Sequence, residues 1–348
     1  MMETYHLYIG TYTDDCNSRG VYSVAFDASQ ETLRLLGASD AGTNPSFLAL
    51  HGNYIYTANE VADTGRVTAF AIGEDGVSLN QLGIAEASGS FTCHIALQQS
   101  RHFLYAANYG SGNIFGQLLT GEGLFAGQTA FCQHEGDGPN KNRQEGPHAH
   151  STGISPDGAY LIAADLGSDE LRVYHIEDHG GLELIRAVPT PAGEGPRHFV
   201  FHPDKPLLYV LTELHNHVLT YCWAATDGSL DLIDSKSTLP NGYTGESIAA
   251  DIHLSPDARF LYTSNRGHNS LAVFSLNEDG LPLFLKAFPS GGEFPRNFWV
   301  APGGSHIIVA NQESNNIVAF PRNAENGLLG PAVAELSIPK PVCIIHRI

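Results

Sequence analysis

The chain has 348 residues, 42% of them hydrophobic, and its 37 acidic residues outnumber 18 basic ones for a formal net charge of −19. That balance argues against nucleic acid or an anionic membrane surface as a partner, because both demand clustered cations. Five scattered cysteines (Cys16, Cys93, Cys132, Cys222 and Cys343), odd in number and without CxxC spacing, fit a reduced cytoplasmic protein.

From the N-terminus, Met1 to His6 carry neither the basic segment nor the apolar stretch of a secretory signal. No later apolar run approaches the ~20 residues of a membrane-spanning helix. A phrase then repeats seven times, an apolar strand closing on a small polar residue. It begins as Leu7-Tyr8-Ile9-Gly10-Thr11 and Ile55-Tyr56-Thr57-Ala58-Asn59, and continues as Leu104 to Asn108, Leu161 to Asp165, Leu208 to Thr212, Leu261 to Asn265 and Ile307 to Asn311. Successive phrases are 48, 49, 57, 47, 53 and 46 residues apart, a mean of 50. That period, made of short strands, predicts an all-β, seven-bladed β-propeller occupying residues 1–348 as one domain.

Each phrase is followed by a strand beyond a Gly- or Asn-rich turn, as at Gly20 to Val24 and Gly65 to Phe70, and then by a polar outer strand after Asp-Gly or a similar turn. Each is preceded by an inner strand that closes on a Pro-Asp or Pro-Gly turn, as in Pro147 to Gly158, Pro196 to Asp204 and Pro295 to Gly303. The first phrase lacks an inner strand, whereas Lys340 to Ile345 resembles an inner strand with no blade after it. The two halves predict ring closure by pairing the C-terminal strand with the N-terminal blade. Two long intervals, Gln133 to Gly146 and Leu239 to Glu246, fall just before inner strands and are expected to rim a pocket.

Aligning the inner strands on their closing proline superposes His150, Arg197, Ala250 and Arg296, with Ser46 a looser match. His148 lies two residues before His150 and shares its side under period-two alternation. The residue after each phrase is Glu60, Tyr109, Leu166, Glu213, Arg266 and Gln312 in successive blades. In a propeller the second strand ends on the face where the first begins. The two sets therefore meet at one channel mouth: His148, His150, Arg197, His198, Glu213, Arg266, Arg296 and Gln312. The plainer account is that these arginines and glutamates are ion pairs tying blades together.

Such a set suits attack by water on an ester of an anionic substrate. Arginine forks bind phosphate or carboxylate, and a guanidinium stabilises a carbonyl oxyanion. A histidine or Glu213 takes the proton from water. No Gly-x-Ser-x-Gly elbow is present, so covalent catalysis is unsupported. His148-x-His150 and His215-x-His217 have spacing that puts two imidazoles on one side of a strand, but Leu214 to Asn216 reads as a turn that would scatter the second pair. No metal or other cofactor is expected. Asp251 and His253, on another inner strand, read first as structural.

At these residues the chain resembles the lactonase family of seven-bladed propellers, whose best-known branch is the propeller-type 6-phosphogluconolactonases. The resemblance runs the whole length, through Ile9 to Thr13, Asn44 to Leu48, Gly146-Pro147-His148-Ala149-His150, Gly195-Pro196-Arg197-His198, Thr212-Glu213-Leu214, Ser264-Asn265-Arg266-Gly267 and Phe294 to Phe298. It implies a catalytic set of His148, Arg197, Glu213 and Arg266; the other residues of the blade alignment, His150, His198, Arg296 and Gln312, are expected to contact substrate. The implied reaction is hydrolysis of a sugar lactone, 6-phosphoglucono-δ-lactone foremost. Arg197 and Arg266 would hold the anionic group and the lactone carbonyl, and Glu213 or His148 would activate water. The family also contains fungal carboxy-muconate cyclases, so a cycloisomerase acting on a polycarboxylate is a second expectation. A third, of another class, is a non-catalytic interaction platform.

Overall fold

The computed structural model describes residues 4–347. Within them, 28 strands form seven antiparallel sheets of four, and the one helical element is a 3₁₀ turn at Gln99–Arg101. No helix there is long and apolar enough to cross a membrane. The innermost strands are β4 (Pro45–His51), β8 (Thr92–Gln98), β12 (Ala149–Ile154), β16 (Pro196–Phe201), β20 (Ile248–Leu254), β24 (Pro295–Val300) and β28 (Pro341–His346). Each packs against the next around a ring, and β28 returns to β4. The ring closes where β28 pairs with β1 (Thr4–Thr11), matching Tyr8 with Ile345 and Ile9 with Ile344. Closure removes two edges that would otherwise present unpaired backbone.

The repeated phrases are the second strands of the blades. They are mostly apolar up to the polar residue that closes them because neighbouring blades cover both faces; β13 (Tyr160–Asp165) and β25 (His306–Asn311) are buried at every residue. The outer strands face water, as β15 (Leu182–Pro189) does over most of its length. The phrase tyrosines carry a repeated link between blades. Tyr8, Tyr56, Tyr105, Tyr209 and Tyr262 are fully buried, and each hydroxyl donates to a glycine carbonyl in an outer turn of the next blade: Gly76, Gly123, Gly180, Gly280 and Gly327, at 2.6–3.1 Å.

The polar residue ending each phrase has a different task. Asn59, Asn108, Asn265 and Asn311 donate side-chain N–H to carbonyls of the loops entering their blades. Asp165 does the equivalent work as an acceptor, receiving the His148, Gly167 and Ser168 amides and the His134 ring. With the loop tied there, the following residue leaves the strand at the channel mouth.

Every inner strand also carries a β-bulge near its start. Pairing is interrupted at Ser46, Cys93, His150, Arg197, Ala250–Asp251, Arg296 and Val342. A bulge breaks alternation and re-aims a side chain. Six of these residues (Ser46, Cys93, His150, Arg197, Arg296 and Val342) surround one narrow space at the waist of the channel.

The tyrosine links give a direct test. Tyr209→Phe leaves the buried Gly280 carbonyl without its donor, and the expected loss is about 1–3 kcal/mol. A lowered urea midpoint at unchanged slope would show it; an unshifted midpoint would mean the link adds nothing.

Candidate active site

Above the waist lies a cavity of about 250 Å³. Its wall takes Tyr12, Glu60, Tyr109, Glu213 and Arg266 from the ends of the second strands and Cys93, His150 and Arg296 from the bulges. Arg143 completes it from the loop 134–148. That loop is pinned from within: His134 meets Asp165 at 2.6 Å, and Gln144 donates to the Leu166 carbonyl at 2.9 Å.

Glu213 is the hub. Its Oε2 accepts from Arg197 Nε at 2.9 Å and pairs with Arg266 at 2.7 Å, while Oε1 pairs with Arg143 at 2.5 Å. Arg197 also donates to the Ala250 carbonyl, and Arg266 to the Ala249 carbonyl at 2.8 Å. Burial works to raise the pKa of Glu213, but the charges of Arg266, Arg197 and Arg143 prevail, so the carboxyl sits well below the usual range. Burial lowers Arg266 to about 9, against the pull of Glu213, with Arg197 and Arg296 adding to the fall. It therefore keeps its charge at neutral pH. Its Nε is buried without an acceptor, and its guanidinium lies over the Phe294 ring at 5.1 Å.

A second cluster faces this one. Arg296 lies over the Tyr12 ring at 5.1 Å and 3.8 Å from Glu60, whose carboxylate also accepts from the Tyr12 hydroxyl at 2.7 Å. Arg143, Arg266 and Arg296 in the wall, with Arg197 beneath, outnumber Glu60 and Glu213. The cavity is thus locally cationic in a protein of net charge −19.

His150 forms part of the wall yet makes no side-chain hydrogen bond; Nδ1 is buried without a partner and Nε2 lies 3.9 Å from Glu213. Burial, and then the charge of Arg197, hold it well below the ordinary histidine range, so it is neutral at pH 7. Cys93 is no nucleophile here: burial foremost, then Glu60, pushes its thiol up.

The structure gathers Arg197, Glu213, Arg266, His150 and Arg296 around this cavity, Arg197 forming its floor at 2% exposure. It places the others elsewhere. His148 precedes β12 and stacks on Tyr109 at 4.5 Å, its ring nitrogens meeting the Tyr109 carbonyl and Glu145. The bulge after Ala149 breaks the alternation that would have put it beside His150 in the wall. His198 follows the Arg197 bulge and looks into a second cavity of about 200 Å³ on the other side of the waist. Gln312 lies off the wall and donates to its neighbour Glu313. His215 and His217 are not scattered by the turn between them: both face Glu194, at 3.7 and 2.8 Å, and Glu213 turns away to the channel. Among the described residues no three His, Cys, Asp or Glu side chains group as metal ligands.

Residues 6–346 match the family model described as "Lactonase, 7-bladed beta-propeller". The chain belongs to this lactonase family. The 6-phosphogluconolactonase of Bacillus subtilis is 33% identical over the full length of both chains. Among solved structures, a protein from Lactobacillus plantarum superposes with a TM-score of 0.94 at 32% identity, covering 99% of this chain and 100% of its own. The periplasmic gluconolactonase of Pseudomonas aeruginosa superposes with a TM-score of 0.94 at 28% identity, covering 99% of each chain. The lactonase fold is therefore shared along nearly the whole chain.

Three histidines, the buried His150 and His198 and the partly buried His94, have depressed pKa values, with removal from water the largest cause in each. The unfolded chain binds protons at these sites below pH 6.5 and the folded lactonase does not. Stability from this source is therefore lost as the pH falls below 6.5. The melting temperature should drop between pH 7 and pH 5. His94→Gln, outside the candidate cavity, should make that slope shallower; an unchanged slope would assign the acid sensitivity to other groups.

Proposed function

We propose that this protein is a hydrolase opening a small anionic sugar lactone, with 6-phosphoglucono-δ-lactone as the leading substrate and 6-phosphogluconate as product. One observation carries the reading: four guanidiniums against two carboxylates at a small cavity of a strongly acidic protein. The activity named for the Bacillus subtilis relative agrees with it. Five free cysteines accord with a cytoplasmic setting, and the proposed substrate would place the reaction in the pentose phosphate pathway.

The residues suggest a division of labour. Arg266, with a buried Nε that lacks an acceptor, stabilises the oxyanion as water adds to the lactone carbonyl. Arg296 and Arg143 hold the anionic group, since both guanidiniums reach the cavity wall. Arg197 works from the floor by fixing Glu213. His150 takes the proton from the attacking water and returns it to the ring oxygen as the C–O bond breaks. His150 suits this better than His148, which lies off the wall, or Glu213, whose carboxylate is committed to three arginines. Because the base must be neutral, and its pKa lies well below 6.5, the acid limb of the rate profile belongs below pH 6.5.

The test is hydrolysis above the buffer rate, with phosphorylated and plain gluconolactone, with and without chelator. The phosphorylated lactone should be preferred and chelator should change nothing. Arg266→Met should lower kcat by about 10²–10³-fold and His150→Gln by about 10²–10⁴-fold, with the fold intact. Rates no faster than buffer would overturn the reading, and turnover of a carboxy-muconate in their place would assign a cycloisomerase.

A further inference from the structure

The second cavity, beyond the waist, is lined by His94, His198, Asp251, His253 and Asn297 among apolar side chains. The reaction outlined above uses none of them. Yet Asp251 and His198 are joined to the catalytic cavity by hydrogen bonds. Asp251 Oδ1 lies 2.9 Å from His198 Nδ1, and His198 Nε2 lies 3.2 Å from the Nη1 of Arg197. Arg197 in turn donates from Nε to Glu213. The chain of contacts runs Asp251, His198, Arg197, Glu213, crossing the waist from one cavity to the other.

Chemistry fixes the direction of each bond. A guanidinium has only donors, so His198 Nε2 must present its lone pair to Arg197. The ring then carries its proton on Nδ1 and donates it to Asp251. An imidazolium would set N–H against N–H at Arg197 and is excluded by the same contact. Asp251 is equally constrained. Its Oδ2 receives the Asn297 side-chain N–H at 2.6 Å, the Phe298 backbone N–H at 3.2 Å and His253 Nε2 at 2.8 Å. Both oxygens are acceptors, as an ionised carboxylate requires. Burial opposes that charge, and His253 and His198 outweigh it.

We propose that Asp251 and His198 are positioning residues for catalysis: Asp251 fixes the His198 tautomer, and His198 holds the Arg197 guanidinium in the orientation that organises Glu213 and Arg266. This assignment rests on the lactonase reading of the upper cavity. It replaces direct substrate contact by His198 with an action through Arg197.

An amide at 251 cannot reproduce the pattern. With its NH₂ at the Oδ2 position it opposes the Asn297 and Phe298 donors. Rotated, it donates to His198 Nδ1 and moves the ring proton to Nε2, against Arg197. A glutamine at 198, by contrast, offers both an acceptor and a donor.

The experiment is a set of variants assayed on 6-phosphoglucono-δ-lactone. His198→Phe should lower kcat about 10–100-fold, the scale of a misplaced catalytic group, and His198→Gln should recover most of it at a similar melting temperature. In an Arg197→Met background His198→Phe should cost nothing further, since it acts through Arg197. Full activity of folded His198→Phe, or additive losses in the double variant, would overturn the proposal. A second measurement needs neither activity nor the Phe variant's folding. In protein labelled with ¹⁵N-histidine, with His198 assigned from His198→Gln, the ring should be the Nδ1–H tautomer in the unsubstituted protein and lose that form in Asp251→Asn. An Nε2–H ring in the unsubstituted protein would refute the positioning argument. A correct tautomer with no lactone hydrolysis by that protein would refute the functional reading alone.

Discussion

One carboxylate organises the upper half of this molecule. Glu213 is buried and shared by Arg197, Arg266 and Arg143, which arrive from two adjacent inner-channel blades and a long loop. Moving such charges out of water costs several kcal/mol per ion, and their mutual attraction offsets this only when geometry and hydrogen bonding are good. Here most of the remaining donors are used as well, Arg197 on the Ala250 carbonyl and His198, and Arg266 on the Ala249 carbonyl, while Arg266 Nε stays free. The cluster is thus a poor source of net stability and a good source of orientation. With their charges and directions set before any ligand arrives, the guanidiniums need little reorganisation when negative charge develops beside them. Of the two accounts open at the sequence level, ion pairs describe the contacts seen here, and a binding site is what is proposed for the same residues.

The backbone device behind it is the bulge. A regular inner strand would alternate its side chains between neighbouring blades and would leave none for the channel axis. One extra residue per strand solves this without disturbing the pairing above or below it. Six of the seven blades contribute their bulge residue to the waist, and the same fold takes histidine, arginine, cysteine, serine or valine there. The tyrosine links lie further out on the phrase strands, so substitutions at the waist leave the attachment between blades in place. Chemistry and ring closure are carried by different positions of the same repeat.

That separation explains what was legible beforehand. The phrases announced the blade count and the half-blades at the two ends, because a strand covered on both faces must be apolar throughout. Aligning on the closing proline superposed His150, Arg197 and Arg296, which are bulge residues, since the offset from that turn is constant. The offset is invisible where the turn lacks proline. Blade three ends its inner strand in the 3₁₀ turn Gln99–Arg101, so Cys93 was not found. Blade one is completed by the chain's last strand, so Val342 was not found either. Period-two reasoning grouped His148 with His150 because a bulge leaves no mark in residue type. Arg143 lies in a segment whose excess length flagged a pocket rim, but nothing in a loop of irregular backbone says which side chain turns inward.

The charge balance bears on how an anion reaches such a site. At physiological ionic strength the Debye length is about 8 Å, so most of the −19 charge is screened from a ligand already at the channel mouth. Inside the cavity the screening is weaker, and the surplus of guanidinium over carboxylate sets the local sign. Glu60 and Glu213 each neutralise charge in their own cluster, and both are tied to arginine rather than left facing the opening. The acidic exterior and the cationic cavity are therefore compatible. The exterior governs solubility and long-range repulsion, and the few buried arginines, held by carboxylates and carbonyls, govern what binds.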